Sequence, residues 1–314
     1  MDLAHSARTR SDGLVVTYHY VRPANSDGVT GISAEEFAKQ LTAIARSHRI
    51  LGVDEFLAAI RSPMRRSDAA DLPPALITFD DAVKDQYRHA LPVLARLGVP
   101  AVFFAPMRPV DPSLSALDAW TPQHLVHALA ETLGWSVLEE AVRCRVGDVP
   151  IDEDRMNALY HYEVPAKRWL KFALAFAIPA EQGAAALHAI NRSGPGLRAS
   201  DWFMDREELL DLQSRGHALG GHGYDHLAYS TLTPVEQAWD MGRAAGLMTK
   251  LFGKRPRALA YPFGRHEDTT QQLAKAFGYT HGFTTDERVD CKYLDDALAS
   301  RSDHRQTATR GRAA

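Results

Sequence analysis

The sequence predicts an α/β fold with parallel strands, closer to a barrel than to an open sheet and interrupted by a helical insertion. Three observations carry this. Short apolar runs rich in β-branched and aromatic residues alternate with amphipathic helical segments in the first third of the chain. Strand patterns stop over residues 109–205, where helical periodicity takes over. Beyond residue 205 the strand–helix alternation resumes.

Each element has its own signal. "GLVVTYHYV" puts β-branched and aromatic residues behind a glycine and reads as the first strand. "SAEEFAKQLTAIARSH" has apolar residues at helical spacing, opened by a Ser33–Glu36 capping pair. A second helix, "VDEFLAAIRS", stops before a polar stretch at residues 65–71. "PPALITFDD" reads as a buried strand, "QYRHALPVLARLG" as a helix ended by Gly98, and "VPAVFFAP" as another strand. The insertion contains Trp120, Trp135, Trp169 and Trp202. It reads as a lid or as a dimerisation element that would make the protein a homo-oligomer. After it come the helix "DREELLDLQSRG", a glycine-rich strand end "HALGGHG", and the long helix "TPVEQAWDMGRAAGLMTKLFG". "RALAYPFG", "DTTQQLAKAFG" and "YTHGFTT" complete the alternation as strand and turn, helix, and strand. Residues 1–12 are expected to be a flexible N-terminus, 13–299 one barrel domain carrying the insertion, and 300–314 a disordered tail.

Composition excludes several classes. The 314 residues are 45% apolar and 24% charged, with a formal net charge of −3, so no basic field recruits nucleic acid or anionic membrane. No apolar run approaches the ~20 residues of a membrane-spanning helix, and the N-terminal segment lacks a signal-peptide core. Cys144 and Cys291 are far apart and read as buried small hydrophobes in a reducing compartment. The expected location is cytoplasmic.

Four features fall at predicted strand ends: His19, the pair Asp80–Asp81, the pair His222 and His226, and Tyr261, Pro262, Phe263 and Gly264. Singly, each has an ordinary reading as core histidine, helix N-cap, surface pair or turn. Together they match a reaction centre. Two imidazoles four residues apart share a face if the segment turns helical. With one carboxylate they suit a borderline divalent metal, with positions left for water and substrate. Such an ion lowers the pKa of bound water to about 7, and a second carboxylate beside it can take the proton. It would also keep the neighbouring aspartate ionised, which explains the pairing of like charges. Gly220, Gly221 and Gly223 would let the backbone approach closely.

At these residues the chain resembles the polysaccharide deacetylases (the NodB-homology domain of family 4 carbohydrate esterases). "TFDD", "HGYDH" and "YPFG" occur in the family's order over residues 13–108 and 206–286, and "YHYVRP" recurs in one cytoplasmic branch. The resemblance implies a distorted (β/α) barrel of about seven strands and a zinc-dependent hydrolase that removes N-acyl groups from amino sugars. It implies Asp80 as general base; Asp81, His222 and His226 as metal ligands; and Tyr261, Pro262, Phe263 and Gly264 as substrate-lining residues near the oxyanion. His19 is the candidate general acid. Three positions depart from the pattern. Ala82 replaces the usual glycine after the aspartates, Ala260 stands where the base-orienting arginine is expected, and no late motif supplies an acidic histidine, with Asp303 and His304 the only stand-ins.

The compartment favours a small N-acetylated or N-formylated sugar, nucleotide- or lipid-linked, as precursor of a surface glycan. Trp120, Trp169 and Trp202 are candidates to stack on sugar rings, with burial in a helical core as the plainer alternative. Two other readings remain: a metal-dependent amidohydrolase of a non-sugar amide or imide, and a non-catalytic glycan binder.

Overall fold

The computed structural model describes residues 13–23, 29, 31–61 and 72–285, together with the backbone of 292–293, 297–300 and 302–303. Five parallel ladders assemble its central sheet. Strand β1 (Leu14–Tyr18) pairs with β3 (Pro74–Asp80), β3 with β4 (Val102–Ala105), and β4 with β5 (Ala218–Gly221). β5 pairs with β6 (Ala258–Ala260), and β6 with β7 (His281–Thr284). The two-residue β2 (Arg49–Ile50) adds to β3. Helices α1 (Ala34–Ser47), α2 (Val53–Arg61) and α3 (Leu91–Leu97) occupy the early crossovers. Ser33 caps α1 by accepting the Glu36 N–H, and Gly98 ends α3 in the left-handed region.

The sheet closes on itself through a connection the sequence did not announce. The two-residue β8 (Lys292–Tyr293) runs antiparallel to β9 (Ala297–Ser300), which pairs with β7. β10 (Ser302–Asp303) pairs with β1, at the other end of the strand order. One residue separates β9 from β10, and two Cα steps span at most about 7 Å. The first and last strands must therefore lie side by side, with β9 and β10 sharing one position. β1, β3, β4, β5, β6, β7 and the β9–β10 pair make seven positions around a distorted barrel. Ser302 and Asp303, expected in the disordered tail, instead close the ring; residues 1–12 and 304–314 lie outside the described residues.

All seven residues of β3 are buried, as expected of a parallel strand covered on both faces. Its alternation sorts the core. Ile77 and Phe79 pack outward with Tyr18, Phe37 and Phe103 under the helices, while Leu76 joins Val102, Phe104 and Phe283 in a second cluster. The period of two puts Asp80 on the face of Leu76, at the strand's C-terminal end.

The insertion folds around its own core. Helices α4 (Pro122–Leu133), α5 (Trp135–Val146), α6 (Glu153–Tyr160), α7 (Pro165–Phe172), α8 (Ala180–Ser193) and α9 (Ala199–Trp202) bury Trp120, Trp135, Trp169, Leu129, Leu138 and Leu187 together. The tryptophan candidates for sugar stacking are thus mostly structural: Trp120 and Trp169 are buried, and Trp202 packs against Trp120 and Tyr20. Cys144 is exposed on α5, contrary to expectation, while Cys291 lies outside the described residues. The insertion is stitched to the barrel by a Val83–Phe203 bridge and by Arg22, which pairs with Asp85 at 3.0 Å and Glu131 at 2.9 Å. The chain then continues through α10 (Arg206–Ser214), α11 (Pro234–Phe252) and α12 (Asp268–Ala276). Among the described residues no helix is long and apolar enough to cross a membrane.

Phe79 stacks on Phe103 at 4.7 Å between centroids and meets Phe37 edge-on at 5.7 Å. Phe79→Ala should therefore cost about 3–5 kcal/mol in guanidinium unfolding; a loss near zero would contradict this packing.

Candidate active site

The C-terminal end of β3 delivers both aspartates to the same rim. Asp81 (φ 77°) and Ala82 (φ 50°) follow Asp80 in the left-handed region. A residue with a Cβ costs roughly 1–2 kcal/mol there. The Ala82 methyl is buried in the main core. Burial of a methyl is worth about 0.8 kcal/mol, and alanine avoids the added chain entropy of glycine. The terms nearly cancel, so alanine can stand at this turn. Directly after it, a π-helical turn (Gln86–Ala90) aims the fully buried Gln86 back at the rim. Gln86 Nε2 donates to the carbonyls of Asp80 (2.5 Å) and His19 (2.7 Å), locking the ends of β3 and β1 together. His19 Nε2 then sits 3.7 Å from Asp80 Oδ2.

The loop after β5 brings in the histidine pair, but not as a helix. His222 leaves the strand, Gly223 (φ 74°) and His226 (φ 57°) adopt left-handed backbone, and the imidazoles converge across a turn. The expected helical face is replaced by this wound loop. Asp240 of α11 holds it, accepting the N–H groups of Tyr224 and Asp225 and the Tyr229 hydroxyl, each at 2.9 Å. A Cβ at residue 223 would stand 2.8 Å from Asp240 Oδ1, so both the backbone angle and the close approach require glycine. His222 Nδ1 donates to the Ala260 carbonyl at 2.8 Å, which leaves its Nε2 unprotonated and facing the aspartates.

These segments meet around Asp81. Its Oδ1 lies 3.2 Å from His226 Nε2 and 3.5 Å from His222 Nε2, and one ligand atom from each of the three buried residues falls within 4.8 Å of the others. Asp81 Oδ1 is buried without a hydrogen-bond partner among the described residues. Burial pushes the Asp81 carboxyl up, but the imidazoles of His124 and His226 outweigh it and hold the group well below the usual range. Burial drives His222 down to about 4, against the pull of Asp80. A carboxylate facing unprotonated imidazole nitrogen, with one oxygen orphaned, is the donor set of a divalent cation. These three residues fit one.

A cavity of about 420 Å³ opens over this cluster. The barrel contributes His19, Asp80, Tyr261, Phe263 and Gly264, and the insertion contributes Gln123, Tyr160, Lys171 and Phe176. The Phe263 ring packs 5.1 Å from that of His226, and Pro262 is buried at the start of the same turn.

Residues 180–282 match the family model described as polysaccharide deacetylase. That match covers about a third of the chain. A Bacillus subtilis (strain 168) protein, YxkH, whose name places it among polysaccharide deacetylases, is 29% identical over 83 residues, or 26% of this chain. The match spans 30% of that relative's length. IcaB from Ammonifex degensii superimposes with a TM-score of 0.52 at 19% identity, covering 93% of this chain and 91% of that one. The Streptococcus pyogenes deacetylase PplD, solved with acetate, gives 0.53 at 16% identity, covering 94% and 93%. At these identities the two structures speak to the fold alone.

Within this deacetylase pattern the departures now have places. Ala260, standing for the missing arginine, offers its carbonyl to His222, and the side chain set beside Asp80 is His19. His304 lies outside the described residues, and Asp303 is described only as backbone in β10. Sequence reading missed His124, Gln86 and Asp240. His124 comes from the insertion, with Nε2 3.2 Å from Asp81 Oδ2. No local signal marks it, because its partner belongs to another segment. Gln86 and Asp240 look like ordinary helix residues in the sequence; only their burial singles them out.

Burial raises the Asp240 carboxyl from 3.8 to about 6 despite its hydrogen bonds. A raised group stabilises fully below its unfolded value and loses that contribution as pH climbs through the folded one. Relative to Asp240→Asn, the native chain should lose up to about 3 kcal/mol between pH 4 and 6, with no further relative change above. Urea unfolding of both proteins across pH 4–7 in EDTA measures this; a relative gain with rising pH would refute it.

Proposed function

We propose that the protein is a metal-dependent hydrolase that removes an N-acyl group, acetyl or formyl, from an amino sugar. The observation that carries this is the orphaned Asp81 Oδ1 between two imidazoles, with a second buried carboxylate, Asp80, adjacent in the chain. A non-catalytic binder has no need of that second carboxylate. The family supports the reaction class, and the orphaned oxygen supports the metal.

Asp81, His222 and His226 would hold the ion, for which Zn²⁺ best suits a mixed nitrogen and oxygen set. When bound it supplies Lewis acidity and a water of lowered pKa. Asp80 stands beside the cluster with its main chain fixed by Gln86, and its carboxylate takes the proton of the attacking water. His19, on the cavity wall 3.7 Å from Asp80 Oδ2, returns a proton to the leaving amine. In the turn over the site, the N–H groups of Tyr261 and Gly264 are bonded to the carbonyls of Phe283 and Tyr261, and Pro262 has none. Phe263 N–H is thus the donor the turn can offer an oxyanion.

The cavity size suits a small amino sugar with a linked group rather than a wall polymer. Net charge and, among the described residues, the lack of a spanning helix are compatible with a cytoplasmic enzyme acting on a nucleotide- or lipid-linked precursor of a surface glycan.

Elemental analysis of the purified protein, followed by amine release from N-acetylated and N-formylated sugars, tests the proposal. Asp81→Ala and His226→Ala should lose metal and activity together. Asp80→Asn should keep its metal while kcat falls about 10²–10⁴-fold; full turnover in that variant would remove Asp80 from the base role. Bound metal without hydrolysis of any N-acyl sugar or simple amide would favour the binder, and hydrolysis of simple amides alone the non-sugar amidohydrolase.

A further inference from the structure

We infer that His124 of the insertion is a positioning residue for Asp81, fixing which carboxylate oxygen faces the metal site. The inference rests on the metal-site reading above and adds a residue that no motif supplies.

The geometry divides the Asp81 carboxylate between two jobs. Oδ1 looks toward His222 and His226 and has no hydrogen-bond partner, while Oδ2 lies 3.2 Å from His124 Nε2. His124 falls outside the group whose ligand atoms all approach within 4.8 Å, which separates it from the ligands. Its ring is 1% exposed and wedged edge-on against Phe203 (4.9 Å) and His226 (5.0 Å), so it has little freedom to turn.

The hydrogen-bond chain behind it fixes the tautomer. Thr121 Oγ1 is 2.6 Å from His124 Nδ1. If Nδ1 carried the proton in a neutral ring, the bare Nε2 lone pair would face a carboxylate. With the Thr121 hydroxyl donating to Nδ1, Nε2–H donates to Oδ2 and every contact is attractive.

Thr121 gives independent support. It is the N-cap of α4, yet its side chain makes no cap hydrogen bond. A threonine cap is typically worth about 1 kcal/mol, and here that oxygen is directed to an imidazole instead. A residue retained only to start the helix would bond the free N–H of the first turn.

The test uses metal binding rather than turnover. The full-length protein is stripped of metal and titrated with Zn²⁺ against a chelating dye, and its Co²⁺ form is followed by visible absorption. His124→Phe fills the space without a donor and should weaken Zn²⁺ about 10–100-fold and shift the Co²⁺ bands. His124→Gln, which keeps an N–H, should recover part of the loss, and Thr121→Val should show a smaller loss of the same kind. If circular dichroism shows that His124→Phe is unfolded, the Gln and Val variants decide. Native affinity and an unchanged spectrum in these variants would overturn the inference. So would complete loss of metal in His124→Phe matching His222→Ala, which would make His124 a ligand. A native chain that binds no metal would instead remove the metal-site reading, and this inference with it.

Discussion

A single buried negative charge organises this protein. Asp81 is 4% exposed, and an ionised carboxylate at that depth is untenable without compensation. The imidazoles of His124 and His226 supply it, one from the insertion and one from the loop after β5. Much of the surrounding structure keeps those groups in range. Gln86 ties the tips of β1 and β3, Asp240 gathers the loop that bears His226, and the Ala260 carbonyl sets the face His222 presents. Each of these supports is itself a buried polar group with its partners at the rim of the barrel, where strand ends and loops meet.

The insertion also contributes to the site. A segment that reads as a lid or a dimerisation arm is a wall of the site, with its own tryptophan core and with His124 delivered to the aspartate. Its rigidity comes from that core, and its placement from the Arg22 pairs and the bridge to Phe203. Two departures from the deacetylase pattern are accommodated in this setting. Where an arginine is absent, a backbone carbonyl and His19 occupy the neighbourhood, and the alanine after the aspartates is accommodated by core burial of its methyl.

Periodic and contiguous features were legible in the chain. Strand and helix alternation, the break at the insertion, and the residues Asp80, Asp81, His19, His222, His226 and the Tyr261 turn follow from patterns of two, 3.6 or a short motif. Those residues do gather at one cavity. Two points that the sequence leaves open depend on packing. The histidine pair shares a helical face only if its segment is helical, and Gly223 and His226 instead wind the loop through positive φ, which residue spacing does not encode. For the tryptophans the plainer reading, burial in a helical core, mostly holds, and neighbouring helices set that burial.

The sequence by itself determined which groups could do chemistry and which segments could be strands or helices, because those depend on residue type and local period. Tertiary structure alone decided that β9 and β10 close the ring, that Asp81 turns one oxygen toward His222 and His226 and the other toward His124, and that Gln86 and Asp240 hold the rim. Each is a distance of a few ångströms between segments far apart in the chain. Such distances are fixed by packing, which no local pattern records.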